Sequence, residues 1–219
     1  MTALFVTGTD TGIGKTLVAC ALLHALSRRY PRVVGMKPVA AGLVATRQGW
    51  DSEDAMALRE ASTVRVSPGL DNPVRLPEPL SPHLAAERAG TRIDLHHLVA
   101  CQRELAQHAD AMVVEGAGGF LVPLSPEHTG ADLAQAMALP VVLVVGLRLG
   151  CLNHALLSAE AIRARGLALA GWVANRIDAS MTAPDENIAF LHQRLGAPLL
   201  ADVAHGAHRD FRGVNMQLP

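Results

Sequence analysis

The segment that most constrains this chain lies at its start. Ala3 to Thr7 is an apolar run that predicts a buried strand. Thr9-Asp-Thr-Gly-Ile-Gly14-Lys15-Thr16 follows it, and Lys15 to Arg29 carries Leu17, Val18, Ala21, Leu22 and Ala25 at helical spacing. A strand, a glycine-rich turn and a helix in that order nearly match the Walker A pattern G-x-x-x-x-G-K-[ST]. Thr9 stands where the pattern has its first glycine, with Gly8 one residue earlier. An isolated Gly-Lys-Thr would be a weak signal, because glycine alone is roughly 7% of residues. The strand before it and the amphipathic helix after it lift it above an ordinary glycine turn.

The residue types suit phosphate chemistry. Glycines let the backbone approach phosphate oxygens, and loop amides at a helix N-terminus supply positive potential. In such a loop Lys15 reaches the terminal phosphates and Thr16 offers its hydroxyl to Mg²⁺. Mg²⁺ keeps several waters and needs only one or two protein carboxylates. Glu115 follows the predicted strand Ala111 to Val114, where a metal-binding acid would sit. Asp54 lies among Asp51, Glu53 and Asp54 at the start of a predicted helix, Ser52 to Ala61. Acids favour a helix N-terminus anyway, so Asp54 carries two readings. Lys37 ends a second predicted strand, Arg32 to Met36, and points to the same edge as the phosphate loop. An exposed lysine is the alternative reading.

Beyond residue 61 short strands continue to alternate with helices. Helices are expected at Leu95 to His108, Ala131 to Ala138, Asn153 to Arg165 and Asp185 to Leu195. Strands are expected at Val141 to Val145, Leu167 to Ala174 and Pro198 to Val203. Val66 to Pro82 contains five prolines and reads as a long ordered loop. This order implies an α/β fold of the P-loop NTPase type, with a mainly parallel sheet and helices on both faces. Residues 1–219 read as one domain, with sites beyond the carboxyl ends of the strands.

Composition limits the function classes. Half the residues are hydrophobic but only 3% are aromatic, so the core must be aliphatic. The formal net charge is −1, with no electrostatic footprint for nucleic acid. Arg28-Arg29 reads as a solvated helix end. Cys20, Cys101 and Cys151 are odd in number and widely spaced, which fits neither a disulfide framework nor a zinc site. No signal peptide and no apolar run of membrane-spanning length are evident. A soluble, cytoplasmic protein is expected.

Seven segments together resemble one family, the dethiobiotin synthetases. They are Val6-Thr-Gly-Thr-Asp-Thr11, Gly14-Lys-Thr16, Lys37-Pro-Val-Ala40, Glu78-Pro79 with Ser81-Pro-His83, Val114-Glu-Gly-Ala-Gly-Gly119, Leu149-Gly-Cys with Asn153-His-Ala155, and Leu169-Ala-Gly-Trp-Val-Ala-Asn175. The resemblance implies ATP-dependent conversion of 7,8-diaminononanoate and CO2 to dethiobiotin, through a carbamate and a carbamic-phosphoric anhydride. It implies Mg²⁺, ATP as co-substrate, and a homodimer with the diamine near the subunit interface. By matching position, Thr11, Lys15 and Lys37 are implied as catalytic groups, with Lys37 on the carbamate. Thr16, Asp54 and Glu115 are implied at the metal. Gly12, Ile13, Gly14, Leu17, Gly116, Ala117, Gly118, Asn175 and Arg176 are implied at ATP, with Asn175 on the purine. Ala41, Ser81, Gly118, Leu149, Gly150, Cys151 and Asn153 are implied at the substrate.

Departures from the family pattern leave alternatives open. Gly12 stands where the family commonly carries glutamate, and Ala41 where many members have serine. The tail from Ala204 to Pro219, with His205, His208, Arg209, Asp210 and Arg212, lacks the family's base-binding segment. An amide- or lactam-forming synthetase for another substrate therefore remains possible on sequence alone. So does a nucleotide switch of the partitioning-ATPase type, against which Lys37-Pro-Val and the absence of a basic surface both count.

Overall fold

The computed structural model describes residues 1–47, 49–206 and 210–219. His208 and Arg209 of the tail lie outside the described residues. Six strands form one sheet: β1 (Thr2–Gly8), β2 (Val33–Met36), β7 (Ala111–Glu115), β8 (Val141–Gly146), β9 (Leu169–Asn175) and β10 (Leu199–Val203). Their spatial order is β10-β9-β8-β1-β7-β2, and every neighbouring pair is parallel. Val141 to Gly146 is buried throughout, as a central parallel strand covered on both faces requires.

The side-chain alternation of β1 divides the core in two. Phe5 points to a cluster with Met36, Met112, Val114 and Trp172, covered by α5 (Leu95–His108), α6 (Gly130–Met137), α7 (Cys151–Ala164) and α8 (Pro184–Arg194). Leu4 and Val6 point the other way, to Val113, Val144 and Val173 under α1 (Lys15–Ser27) and α2 (Glu53–Ala61). The helices therefore lie on both faces of a mainly parallel sheet, as expected. Arg28 and Arg29 are exposed just past α1.

One expectation is overturned. The stretch from Val66 to Pro82 is not a single loop. It holds a helical turn, α3 (Pro68–Asp71), and a strand, β6 (Val74–Leu76), and it ends at the first residue of α4 (Pro82–Arg88). Pro68 and Pro82 occupy first-turn helix positions, where a missing N–H costs nothing. Val74 and Leu76 are buried with Arg75 exposed between them, and β6 pairs in parallel with β3 (Val39–Ala41). A small hairpin, β4 (Val44–Thr46) and β5 (Gly49–Asp51), precedes α2. Helix α7 starts at Cys151, two residues before the expected Asn153.

The tail crosses the α1 face. Phe211, Val214, Met216 and Leu218 pack on the cluster beneath α1 and α2, and the Gln217 N–H donates to Leu200 O at 2.9 Å. Among the described residues no helix is long and apolar enough to cross a membrane.

Candidate active site

Strand order decides which strand ends become neighbours. Strand β7 lies between β1 and β2, so Val6 pairs with Glu115 and Val114 with Met36. Three carboxyl ends then stand side by side: the loop after Gly8, Glu115, and Lys37 after Met36. Helix α2 brings Asp54 to the same rim. Its N-cap Ser52 accepts a hydrogen bond from the Ala55 N–H, which holds the first turn and Asp54 within it.

The phosphate loop owes its shape to glycine at two points. Gly14 has φ 87°, and a Cβ there would lie 2.3 Å from Asn175 Nδ2. Gly12 has φ 72° with open space beside it. A glutamate at position 12 would find room but a strained backbone, so glycine is the residue suited to this loop. The Lys15 ammonium folds back over the loop and donates to Asp10 O at 2.8 Å. Thr11 is exposed at the mouth.

Lys37 is 4% exposed and Glu115 1% exposed. The Lys37 Nζ donates to Glu115 Oε1 at 2.6 Å and to Gly116 O at 3.2 Å. It lies 2.7 Å from Asp54 Oδ2. The Thr16 hydroxyl is 2.9 Å from both Asp54 Oδ1 and Glu115 Oε1, and its single proton serves one of them at a time. Burial disfavours charge on Lys37, but Glu115 and Asp54 outweigh it, and the pKa is raised. At Glu115 burial dominates over the pull of Lys37, with Asp54 adding to the upward shift. Asp54 lies below the usual carboxylate value: its own burial opposes this, and Lys37 and Thr16 override it. Burial and the Lys37 charge bring Lys15 down to about 8.

A cleft of roughly 680 Å³ runs over these groups. Thr11, Gly12, Gly14, Lys15 and Thr16 form one wall. Lys37, Ala41, Asp54 and Glu115 line its floor and far side, with Ala117 and Gly118 beside them. Ser81 enters from the segment leading into α4, flanked by Pro79, Leu80 and Pro82. Val39, from the Lys37-Pro-Val-Ala40 segment, and Val122, which no sequence motif marked, complete an apolar stretch.

Other expected site residues lie elsewhere. Ile13 is buried under the loop, against Gly8 and Gly146. Leu17 packs on the α1 core. Gly116 lies behind the cleft and lends Lys37 its carbonyl. Asn175 is 2% exposed beneath the loop; its Nδ2 donates to Ile13 O at 2.7 Å, and its Oδ1 is buried with no partner among the described residues. Arg176 pairs with Asp202 at 2.7 Å and also holds Asp185. Leu149 is 96% exposed, Gly150 caps α7 at φ 94°, Cys151 is buried as a packing residue, and Asn153 is exposed. This last segment does not line its own chain's cleft. In the tail, His205 Nδ1 lies 3.0 Å from Arg176 O, Asp210 caps the turn at Arg212, and Arg212 reaches Glu60.

The donor set suits a hard cation. Two carboxylates and a hydroxyl meet at one point, and the second Glu115 oxygen, Oε2, is buried with no hydrogen-bond partner among the described residues. Such oxygens match Mg²⁺, which completes its shell with phosphate and water. Among the described residues no larger group of His, Cys, Asp and Glu gathers as a metal cage.

Similarity to known proteins agrees with this geometry. The family described as "AAA domain" matches residues 2–207. The chain is 53% identical over 210 residues to the ATP-dependent dethiobiotin synthetase BioD of Aromatoleum aromaticum, spanning 95% of this chain and 92% of that one. It is 52% identical to the protein of the same name from Janthinobacterium sp. (strain Marseille), over 91% of this chain and 86% of the other. Among solved structures, the MinD cell division protein of Aquifex aeolicus superposes with a TM-score of 0.57 at 14% identity, covering 97% of this chain and 86% of that one. A ParA family ATPase from Chlorobium tepidum gives 0.56 at 18%, covering 95% and 88%. Those two likenesses speak to the P-loop fold alone, whereas the relatives at half identity over nine-tenths of the chain define a narrower group: the chain belongs to the family of ATP-dependent dethiobiotin synthetases.

Proposed function

We propose that the protein converts 7,8-diaminononanoate, CO2 and ATP to dethiobiotin, ADP and phosphate. The observation that carries this reading is the buried Lys37 beside the phosphate loop, within 2.7 Å of both Asp54 and Glu115. One amine of the diamine adds to CO2 and loses a proton, giving a carbamate. A carbamate oxygen attacks the γ-phosphorus and ADP leaves. The second amine then attacks the carbonyl carbon, the ring closes, and phosphate is expelled.

The difficulty in this sequence is electrostatic. Carbamate and γ-phosphate are both anions and must approach each other. Lys15 and Lys37 present two cationic groups to that approach, and preorganised charge of this kind is commonly the largest catalytic contribution. Thr16, Asp54 and Glu115 would hold Mg²⁺, which supplies further positive charge at the phosphates. Burial raises the Glu115 pKa against the pull of the Lys37 ammonium. Ring closure is intramolecular, so holding the two amines contributes through proximity. The reaction needs no protein nucleophile, and Cys151 is left as packing.

The whole chain, residues 1–219, acts on this reading as one domain. Homodimerisation is also proposed. Leu121, Leu149 and Leu157 are at least 55% exposed, and Leu121 and Leu157 share a shallow groove with Thr9, Asp10 and His154. A second copy on this face would cover them and would bring the Leu149 to Asn153 segment toward the neighbour's cleft. Three buried free thiols agree with residence in the cytoplasm.

The test is phosphate release by the pure protein with Mg-ATP. Release requiring both bicarbonate and the diamine is the expected result. Hydrolysis indifferent to both would sink the reading.

A further inference from the structure

Behind the cleft lies a charged network that joins Lys37 to Asp54 without passing through the phosphate loop. It begins at the backbone of Lys37. The Lys37 N–H donates to Asp71 O at 2.8 Å, and the Lys37 carbonyl accepts from Asn72 Nδ2 at 2.6 Å. Asn72 is fully buried and Asp71 is 3% exposed. The Asp71 carboxylate is gripped by Arg59 from α2 through two parallel bonds: Nε to Oδ2 at 2.8 Å and Nη2 to Oδ1 at 2.7 Å. The third nitrogen, Nη1, donates to Asp51 Oδ2 at 2.6 Å. Asp51 Oδ1 accepts from the Ser52 N–H at 2.9 Å, and Ser52 caps the turn that carries Asp54. Asp54 closes the circuit on the Lys37 ammonium at 2.7 Å.

The two ends of this circuit are the backbone and the ammonium of the same lysine. Bidentate pairing fixes angle as well as distance, because the guanidinium is a rigid planar fork. A partly buried ion network of this kind is weak evidence for stability, and fixing geometry is the role assigned to it below. Arg59 spans two places at once: the α3–β6 junction that holds Lys37, and the start of the helix that holds Asp54. It does not line the cleft itself.

We propose that Arg59 is a positioning residue, fixing the separation of Lys37 and Asp54 through Asp71 and Asp51. The inference rests on the reading of Lys37 and Asp54 given above. Outer-shell partners of metal ligands commonly contribute on the order of 10–100-fold in metal affinity or activity.

Arg59→Gln alone would strand the buried Asp71 carboxylate, so the test uses Arg59→Gln with Asp71→Asn, which removes both charges of the bidentate pair. The expected result is a folded protein whose kcat falls about tenfold or more. Mn²⁺ binding to the nucleotide-loaded protein, read by electron paramagnetic resonance, should weaken by a similar factor. Nucleotide affinity in EDTA should stay close to wild type, since Arg59 does not touch the phosphate loop. Arg59→Lys, which keeps the charge and loses the fork, should fall in between. A folded double variant with wild-type kcat and Mn²⁺ affinity overturns the proposal, even if its melting temperature drops. Should the double variant fail to fold, Arg59→Lys decides on the same two readouts. Lys37→Gln run in parallel separates the failures. If it keeps full turnover, the reading of Lys37 is wrong. If it loses turnover while both Arg59 variants match wild type, only the positioning role is lost.

Discussion

At Lys15 burial and the charge of Lys37 draw the pKa down to about 8, while Asp54 and Glu115 hold Lys37 charged. The two lysines therefore stand in different settings. Lys15 hangs from the loop by one carbonyl, whereas Lys37 is bound by two carboxylates. We expect Lys15→Gln to weaken nucleotide binding and turnover together, by roughly 10- to 100-fold in affinity for a lost charge-assisted bond. Lys37→Gln should leave nucleotide binding nearly intact and remove most turnover. Calorimetric titration with a nonhydrolysable ATP analogue, beside steady-state rates, distinguishes the pair. Equal loss of affinity in both variants would contradict the assignment. At this scale the sequence was legible where a motif is local. Gly14, Lys15 and Thr16 announce themselves within three positions. The bond from Lys37 to Glu115 joins residues 78 apart, and no spacing rule reveals it.

Elements were legible wherever one face repeats. Helix α5 follows apolar periodicity, α1 is buried around most of its circumference, and the buried strands follow unbroken aliphatic runs. The stretch from Val66 to Pro82 was misread because its prolines punctuate structure rather than prevent it. Two of them start helices, and β6 becomes a strand only by pairing with β3. Helix α6 offers a test at this scale. The Asp132 carboxylate accepts from the Thr129 N–H at 2.6 Å and hydroxyl at 2.7 Å, and it pairs with Arg165. Partial burial opposes its charge, but these partners prevail and hold its pKa at about 2. A depressed carboxyl contributes stability above its unfolded value, near 4, and loses it as pH falls toward 2. Asp132→Asn should thus cost about 1 kcal/mol at neutral pH, with the difference from wild type closing across that window. Urea unfolding at several pH values measures this. A pH-independent difference would refute it.

For the molecule as a whole, the arrangement that matters is the strand order. Placing β7 between β1 and β2 sets the phosphate loop, Glu115 and Lys37 at adjacent strand ends. The same architecture leaves the Leu149 to Asn153 segment outside its own cleft, which is why a second copy enters the proposal. Leu157→Glu should convert a dimer into a particle near the chain mass of 23.1 kDa in sedimentation, with the fold retained. Turnover should fall with it, because each cleft would lose its neighbour's segment. A wild-type protein that sediments as a monomer at full activity would remove the dimer from the account.

From the chain alone came the local pieces: the phosphate loop, the parallel α/β class, and the resemblance carried by seven short segments. These depend on residues near one another in sequence, where backbone preference and periodicity act. The resemblance implied Thr16, Asp54 and Glu115 at one metal; tertiary structure alone decided that the Lys37 ammonium sits between Asp54 and Glu115, and that Arg59 ties Asp51 to Asp71 behind them. Lys37 and Glu115 are buried, and they meet because the sheet places their strand ends side by side, away from the water that would otherwise screen them.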